Sequence, residues 1–107
     1  VNRRIVITEP AKWDIHSNRS WWSVCRSKEQ ADRWYTGILN EIYSLAEMPE
    51  RFSFASEHAL RIAGVRQMLY GLGGATHRVL YCVEDDAVVI YRVLSARQDS
   101  ISAEDLE

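Results

Sequence analysis

Three β-rich runs follow one another in the second half of the chain: Gly64-Val65-Arg66-Gln67-Met68-Leu69-Tyr70, Thr76-His77-Arg78-Val79-Leu80-Tyr81-Cys82-Val83 and Ala87-Val88-Val89-Ile90-Tyr91-Arg92-Val93-Leu94. Runs this rich in β-branched and aromatic residues read as strands, and the short turns between them make an antiparallel meander. An arginine stands in or just after each run, the last being Arg97 in Ser95-Ala96-Arg97-Gln98-Asp99. No residue from Ala59 to Val83 is acidic, although the chain as a whole has a formal net charge of -2. A small acidic protein that keeps one contiguous region basic has something anionic to meet there, nucleic acid or an acidic partner.

The first half supplies helices. Arg3-Arg4-Ile5-Val6-Ile7-Thr8 is a short β-branched strand, and Thr8-Glu9-Pro10 opens a helix, because proline is preorganised for a first turn. From Ala11 to about Cys25 the helical pattern is weak: Ile15 and Trp22 share a buried face with Trp13 or Val24, while Ser17-Asn18 interrupts it. Ser27-Lys28-Glu29-Gln30 fits a capping box, and Ala31, Trp34, Tyr35, Ile38, Ile42 and Leu45 then keep the spacing of one buried stripe. Gly37 weakens its middle, and Pro49 ends the helix by pushing Met48 out of helical geometry. Glu50 to Ser56 is a loop held down by Phe52 and Phe54. In the strand Arg78 to Val83, Val79, Tyr81 and Val83 point one way and Arg78, Leu80 and Cys82 the other. In the last strand Val89, Tyr91 and Val93 alternate with Val88, Ile90, Arg92 and Leu94. That strand is apolar on both faces and therefore central. Ser102-Ala103-Glu104-Asp105 opens a short final helix. The fold class is α+β in the order β-α-α-β-β-β: a helical hairpin covers one face of a four-stranded, largely antiparallel sheet, and arginines and a partner occupy the other face.

At 107 residues the chain is one domain, 1–107, long enough to bury roughly two-thirds of its unfolded surface. Four Trp and five Tyr enlarge a small core and supply interface anchors. Cys25 and Cys82 stand far apart in no metal-type spacing, and Val1-Asn2-Arg3-Arg4 leads straight into a strand, so the expectation is a reduced, cytoplasmic protein. No apolar run is long enough to cross a bilayer. His16, His58 and His77 share no ligand spacing, and no metal or cofactor is expected. His77 reads as a surface residue at a strand end. Glu84-Asp85-Asp86 reads as a solvated turn, and Gly71-Leu72-Gly73-Gly74 lacks the lysine and following helix of a phosphate loop.

The order of elements, together with Met48-Pro49-Glu50-Arg51, Val65-Arg66-Gln67, His77-Arg78-Val79-Leu80-Tyr81, Asp85-Asp86-Ala87-Val88-Val89-Ile90 and Ala96-Arg97-Gln98-Asp99, resembles the RelE/ParE superfamily of bacterial toxins, often labelled plasmid-stabilisation proteins. The resemblance implies a growth-inhibiting toxin of a type II toxin–antitoxin system, neutralised by a cognate antitoxin that wraps over the helices and sheet. RelE-like members of the superfamily cut mRNA in the ribosomal A site; ParE-like members block DNA gyrase. Arg78 matches the superfamily's strand arginine and Arg97 the arginine after the last strand. Arg66 falls where the RelE-like branch has the first of a lysine pair, Met68 takes the second place, and no tyrosine follows Arg97. Losing a general acid or base costs about two to four decades in rate, and only Tyr91, Tyr81 or His77 is left to substitute. The ParE-like branch commonly has a histidine where Ser95 stands. The balance leans to ParE, with gyrase the implied target. The alternatives are a RelE-like ribosome-dependent mRNA endonuclease and a non-toxic remnant that only binds a partner.

The residues expected at the target surface are Arg66, Arg78, Arg97 and Gln98, against the plainer reading that strand arginines only solvate a sheet face. Arg92 is assigned a structural ion pair, with Glu84 or another acid. Trp34 belongs to the core. Trp21 and Trp22 are the expected partner contacts, although adjacent helical residues cannot both face one way. At net -2 the chain lacks the field that drives binding to free duplex DNA.

Overall fold

The computed structural model describes residues 2–72 and 75–95. Strand β1 (Arg4–Ile7) leads into helix α1 (Glu9–Cys25), and α2 (Lys28–Ser44) completes a hairpin of helices. After a 3-10 turn at Pro49–Arg51 comes a short helix, α3 (His58–Ile62), then strands β2 (Arg66–Leu72), β3 (Ala75–Val83) and β4 (Ala87–Ser95). The sheet order is β1-β4-β3-β2; β2, β3 and β4 form the antiparallel meander and β1 joins β4 in parallel. The apolar last strand is central, as its composition requires. The expected final helix and the Gly73-Gly74 turn lie outside the described residues.

Both helix starts are capped as their sequences demand. The Thr8 hydroxyl accepts from the Ala11 N–H at 3.3 Å and donates to the Tyr91 carbonyl at 3.1 Å, so one side chain starts α1 and ties it to β4. The Ser27 hydroxyl accepts from the Gln30 N–H at 3.1 Å. On α2 the buried stripe is Ala31, Trp34, Ile38 and Ile42, continued by Leu45, with Tyr35 only partly buried. On α1, Ala11, Ile15 and Trp22 face the sheet, whereas Trp13 and Val24 are exposed, a correction that the helical wheel explains: both lie on the opposite side from Ile15 and Trp22. Gly37 is a packing device. A Cβ there would stand 1.9 Å from the Tyr70 hydroxyl, so glycine lets α2 settle closely on β2.

Helix α2 ends at Ser44, earlier than Pro49 alone would stop it. Met48 does leave helical geometry, entering the left-handed region at φ 49°, and Arg51 folds back to donate to the carbonyls of Glu47 at 2.6 Å and of Ser44 and Met48 at 3.3 Å. The stretch read as a loop contains more than expected. Phe54 bridges Arg66 beside β2, and α3 follows, terminated by Gly64 at φ +81°. Around α3 a second, smaller core forms from Ala55, Leu60 and Val65 against Leu80 and Leu94. The sheet face opposite the α1–α2 hairpin is therefore partly roofed.

The strand faces of β3 are as expected: Val79, Tyr81 and Val83 join the main core and Leu80 and Cys82 the second. In β4 the alternation breaks. Leu80 pairs with Arg92 but Tyr81 with Ile90, leaving Tyr91 as an extra residue, a β-bulge. Val88, Ile90 and Val93 thus share the main core, while Leu94 falls on the other side.

Candidate functional site

Arg78 leaves the middle of β3 opposite Leu69 and Leu94, on the face that α3 roofs. Its guanidinium makes a two-pronged ion pair with Glu57, NH1 to Oε2 at 2.8 Å and NH2 to Oε1 at 2.7 Å. Nε and NH2 also donate to the Gln67 Oε1 at 3.2 and 2.9 Å. The side chains of Arg78 and Glu57 are only 13% and 10% exposed, so this is a largely desolvated pair of the strong, directional kind.

Arg66 stands opposite Tyr81 in register, on the other face at the β2 edge. It donates to the Phe52 carbonyl at 2.6 Å and the Glu50 carbonyl at 3.3 Å, and its guanidinium lies 4.1 Å from the centre of the Phe54 ring. The two strand arginines are not brought together; from opposite faces of the sheet each grips part of the segment between Glu50 and Glu57. Arg97 and Gln98 lie outside the described residues.

Arg92 is structural as expected, but its acid is Asp14 rather than Glu84. Nε meets Oδ2 at 2.6 Å and NH2 meets Oδ1 at 3.0 Å, while Asp14 Oδ2 also accepts from the Val93 N–H at 3.0 Å. Asp14 thereby satisfies the β4 edge beyond the end of β1.

Trp22, one of the two residues expected at a partner surface, is a correction: it is 1% exposed and part of the core. Trp21 is 49% exposed and meets Trp22 edge-on, ring centres 5.7 Å apart. Trp13, expected to be buried, is 70% exposed on the same helix. Beside α1 a groove of about 300 Å³ has Ile7, Ile15, Leu39 and Tyr43 among its walls, with Lys12, His16 and Arg19 along one side. Lys12, His16 and Arg19 follow one another at i, i+4 and i+7 on one flank of α1, where Lys12 pairs with Glu9 and Arg19 with Asp32.

The three residues left to act as general acid or base are all committed elsewhere. Tyr81 is buried and donates to the Pro49 carbonyl at 2.6 Å, and burial pushes its phenol up to about 12. His77 is buried, not at the surface: it faces the α1–α2 hairpin, where the Trp34 indole donates to Nδ1 at 3.3 Å and Asn18 Oδ1 lies 3.1 Å from Nε2. Indole nitrogen only donates, so Nδ1 must accept and Nε2 carries the proton. Burial lowers the imidazole pKa and keeps it neutral. Tyr91, the bulged residue, is part-buried beside Cys82; burial raises both pKa values, with Glu84 adding to each. No trio of His, Cys, Asp or Glu suited to a metal ion occurs among the described residues, and no helix among them is long and apolar enough to cross a membrane.

A four-stranded sheet roofed by a helical hairpin, with its parallel pairing at one edge, has known counterparts. The chain is similar in fold to the chromosomal ParDE toxin–antitoxin system from P. aeruginosa, with a TM-score of 0.70 at 16% identity over 87% of this chain and 95% of that one. It is similar as well to the toxin–antitoxin complex RelBE2 from Mycobacterium tuberculosis, with a TM-score of 0.64 at 22% identity over 92% and 95%. Identities this low speak for the fold alone. A search of curated proteins finds no match. The sequence profile described as "ParE toxin of type II toxin-antitoxin system, parDE" matches residues 5–100, nearly the whole length. The chain belongs to the ParE toxin family of type II toxin–antitoxin systems.

Proposed function

We propose that this toxin inhibits growth by binding a protein target, DNA gyrase, rather than by cutting RNA, and that a cognate antitoxin neutralises it. The observation that carries the reading is the commitment of Tyr81, His77 and Tyr91 to buried or part-buried internal contacts. RNA cleavage through the 2′-OH needs a group able to exchange a proton near neutral pH at an accessible phosphate site. A buried phenol at about 12, donating to Pro49, is not such a group. Binding needs only a rigid surface. Arg66, Arg78, Arg97 and Gln98 are the residues proposed to meet the target, Arg66 and Arg78 from opposite faces of the sheet. The antitoxin's landing place is proposed at the groove beside α1, whose apolar wall suits a segment with apolar residues; Lys12 and Arg19 beside it are already paired with Glu9 and Asp32. Trp21, partly exposed on the other side of α1 from this groove, is proposed as a separate partner contact.

Expression without antitoxin in bacteria tests the reading. Filamentation and induction of the DNA-damage response are expected. Rapid arrest of translation with codon-specific mRNA ends would assign the chain to ribosome-dependent cleavage instead, and unimpeded growth would mark a remnant. Arg97→Ala is expected to relieve growth inhibition while the melting temperature and antitoxin affinity stay unchanged.

A further inference from the structure

We propose that Arg78 and Gln67 form a receptor for a carboxylate on a protein partner, and that Glu57 occupies it in cis until the partner arrives. The inference rests on the reading of Arg78 as a target-binding residue and names the chemistry of what it binds. The Arg78 guanidinium presents two parallel donors to two carboxylate oxygens, at 2.7 and 2.8 Å. A planar two-oxygen group satisfies that fork completely. The Gln67 Oε1 already takes the Nε side of the guanidinium at 3.2 Å. A phosphate placed in the same fork would set a further oxygen near that acceptor, so the pocket favours carboxylate over phosphate. The net charge of -2 argues the same way against a nucleic-acid ligand.

Glu57 is built to be displaced. It precedes α3 at the cap position without capping it, and α3 is five residues long with Leu60 its one buried side chain. A helix shorter than two turns has little stability of its own, so its hold on the sheet depends on the packing of Leu60 and on the backbone bonds of the flanking residues Ala55 and Val65. Gly64 at φ +81° marks the end of the segment where the chain turns back into β2. Beside the fork, Leu69 is exposed and stands directly across from Arg78 in β2. A partner that replaces Glu57 with its own acidic side chain thus finds apolar contacts at the rim of the same pocket. The charge stays paired throughout, which keeps the exchange from ever leaving a buried guanidinium alone.

The test uses the Arg78 Nε–H resonance of the full chain as reporter and acetate as the probe, with inorganic phosphate run in parallel. In Glu57→Gln, acetate should shift that resonance with a midpoint at least about tenfold lower than in the wild type, a change of roughly 1.4 kcal/mol. Leu60→Ala keeps the ion pair but loosens α3, and should give a midpoint between the two; it also serves if Glu57→Gln fails to fold. Equal midpoints in wild type and variants would overturn the inference, and so would a lower midpoint for phosphate than for acetate. On expression, Glu57→Gln should inhibit growth at lower inducer than the wild type. A wild-type chain that leaves growth unaffected would sink the target reading alone, because the acetate midpoints decide the pocket independently.

Discussion

Single residues here carry their roles through what they touch, and three of them make direct predictions. Arg78→Ala leaves the Glu57 carboxylate nearly buried without its cation, which should cost about 3 kcal/mol and lower the urea midpoint accordingly. Gly37→Ala gains helix propensity but drives a methyl into the Tyr70 ring, and should destabilise by about 1–3 kcal/mol; on a Tyr70→Leu background the same change should become neutral or stabilising. His77 has a folded pKa below its ordinary 6.5, so the unfolded chain binds the extra proton first. Stability should therefore fall as pH drops below about 6.5, by up to about 1.4 kcal/mol per pH unit until the folded imidazole also titrates. Urea titrations at pH 7.5 and 5.5 measure it, and the His77 share of the loss should vanish in His77→Gln. The sequence showed Arg78 and Trp34 as important but not their partners. Glu57 lies twenty-one residues from Arg78 in an unpatterned stretch, and no periodicity reports such a pairing. Trp21 and Trp22 were separable in kind, one in and one out, but which was which depended on the rotation of α1 about its axis.

At the scale of elements, the caps, the stripe of α2 and the three-strand meander were legible because each rests on local chemistry: Thr8 and Ser27 side chains on backbone N–H groups, apolar residues three and four apart, and β-branched runs between turns. Helix α3 was not, since five residues fall short of two turns and show no period. The bulge at Tyr91 was hidden as well: β4 is apolar on both faces, so a one-residue slip leaves no mark in its pattern. The hierarchy of stability should follow these supports. Ser27→Ala is expected to cost about 1 kcal/mol through the lost cap. Amide exchange should be faster in α3 than in α2 or β4, and Leu60→Ala should speed it further around residues 57–64 while leaving β4 amides slow. Uniform exchange across α2 and α3 would contradict the assignment of α3 as a weakly held roof.

The whole molecule divides its two sheet faces between different tasks. One face is filled by the α1–α2 hairpin and holds the main core, with the Trp34–His77–Asn18 contacts inside it. The other carries the Arg78–Glu57–Gln67 cluster under a thin cover. Outside the hairpin, the groove beside α1 is proposed for the antitoxin, and Trp21 stands on the other side of that helix as a separate proposed contact. Trp21→Ala should weaken antitoxin binding about tenfold or more with little change in melting temperature. The family was legible from motifs spread over the chain, because order and spacing survive where identity with the solved relatives has fallen to 16% and 22%. The choice between a nuclease and a binder is less legible, since the proposed reading rests on the burial of Tyr81 and His77, and burial is a property of the folded core. The decisive measurement is DNA supercoiling by gyrase in the presence of the purified chain, beside a ribosome-dependent mRNA cleavage assay with the same preparation. Dose-dependent loss of supercoiling with intact mRNA is the predicted result; cleaved mRNA with gyrase unaffected would contradict the account.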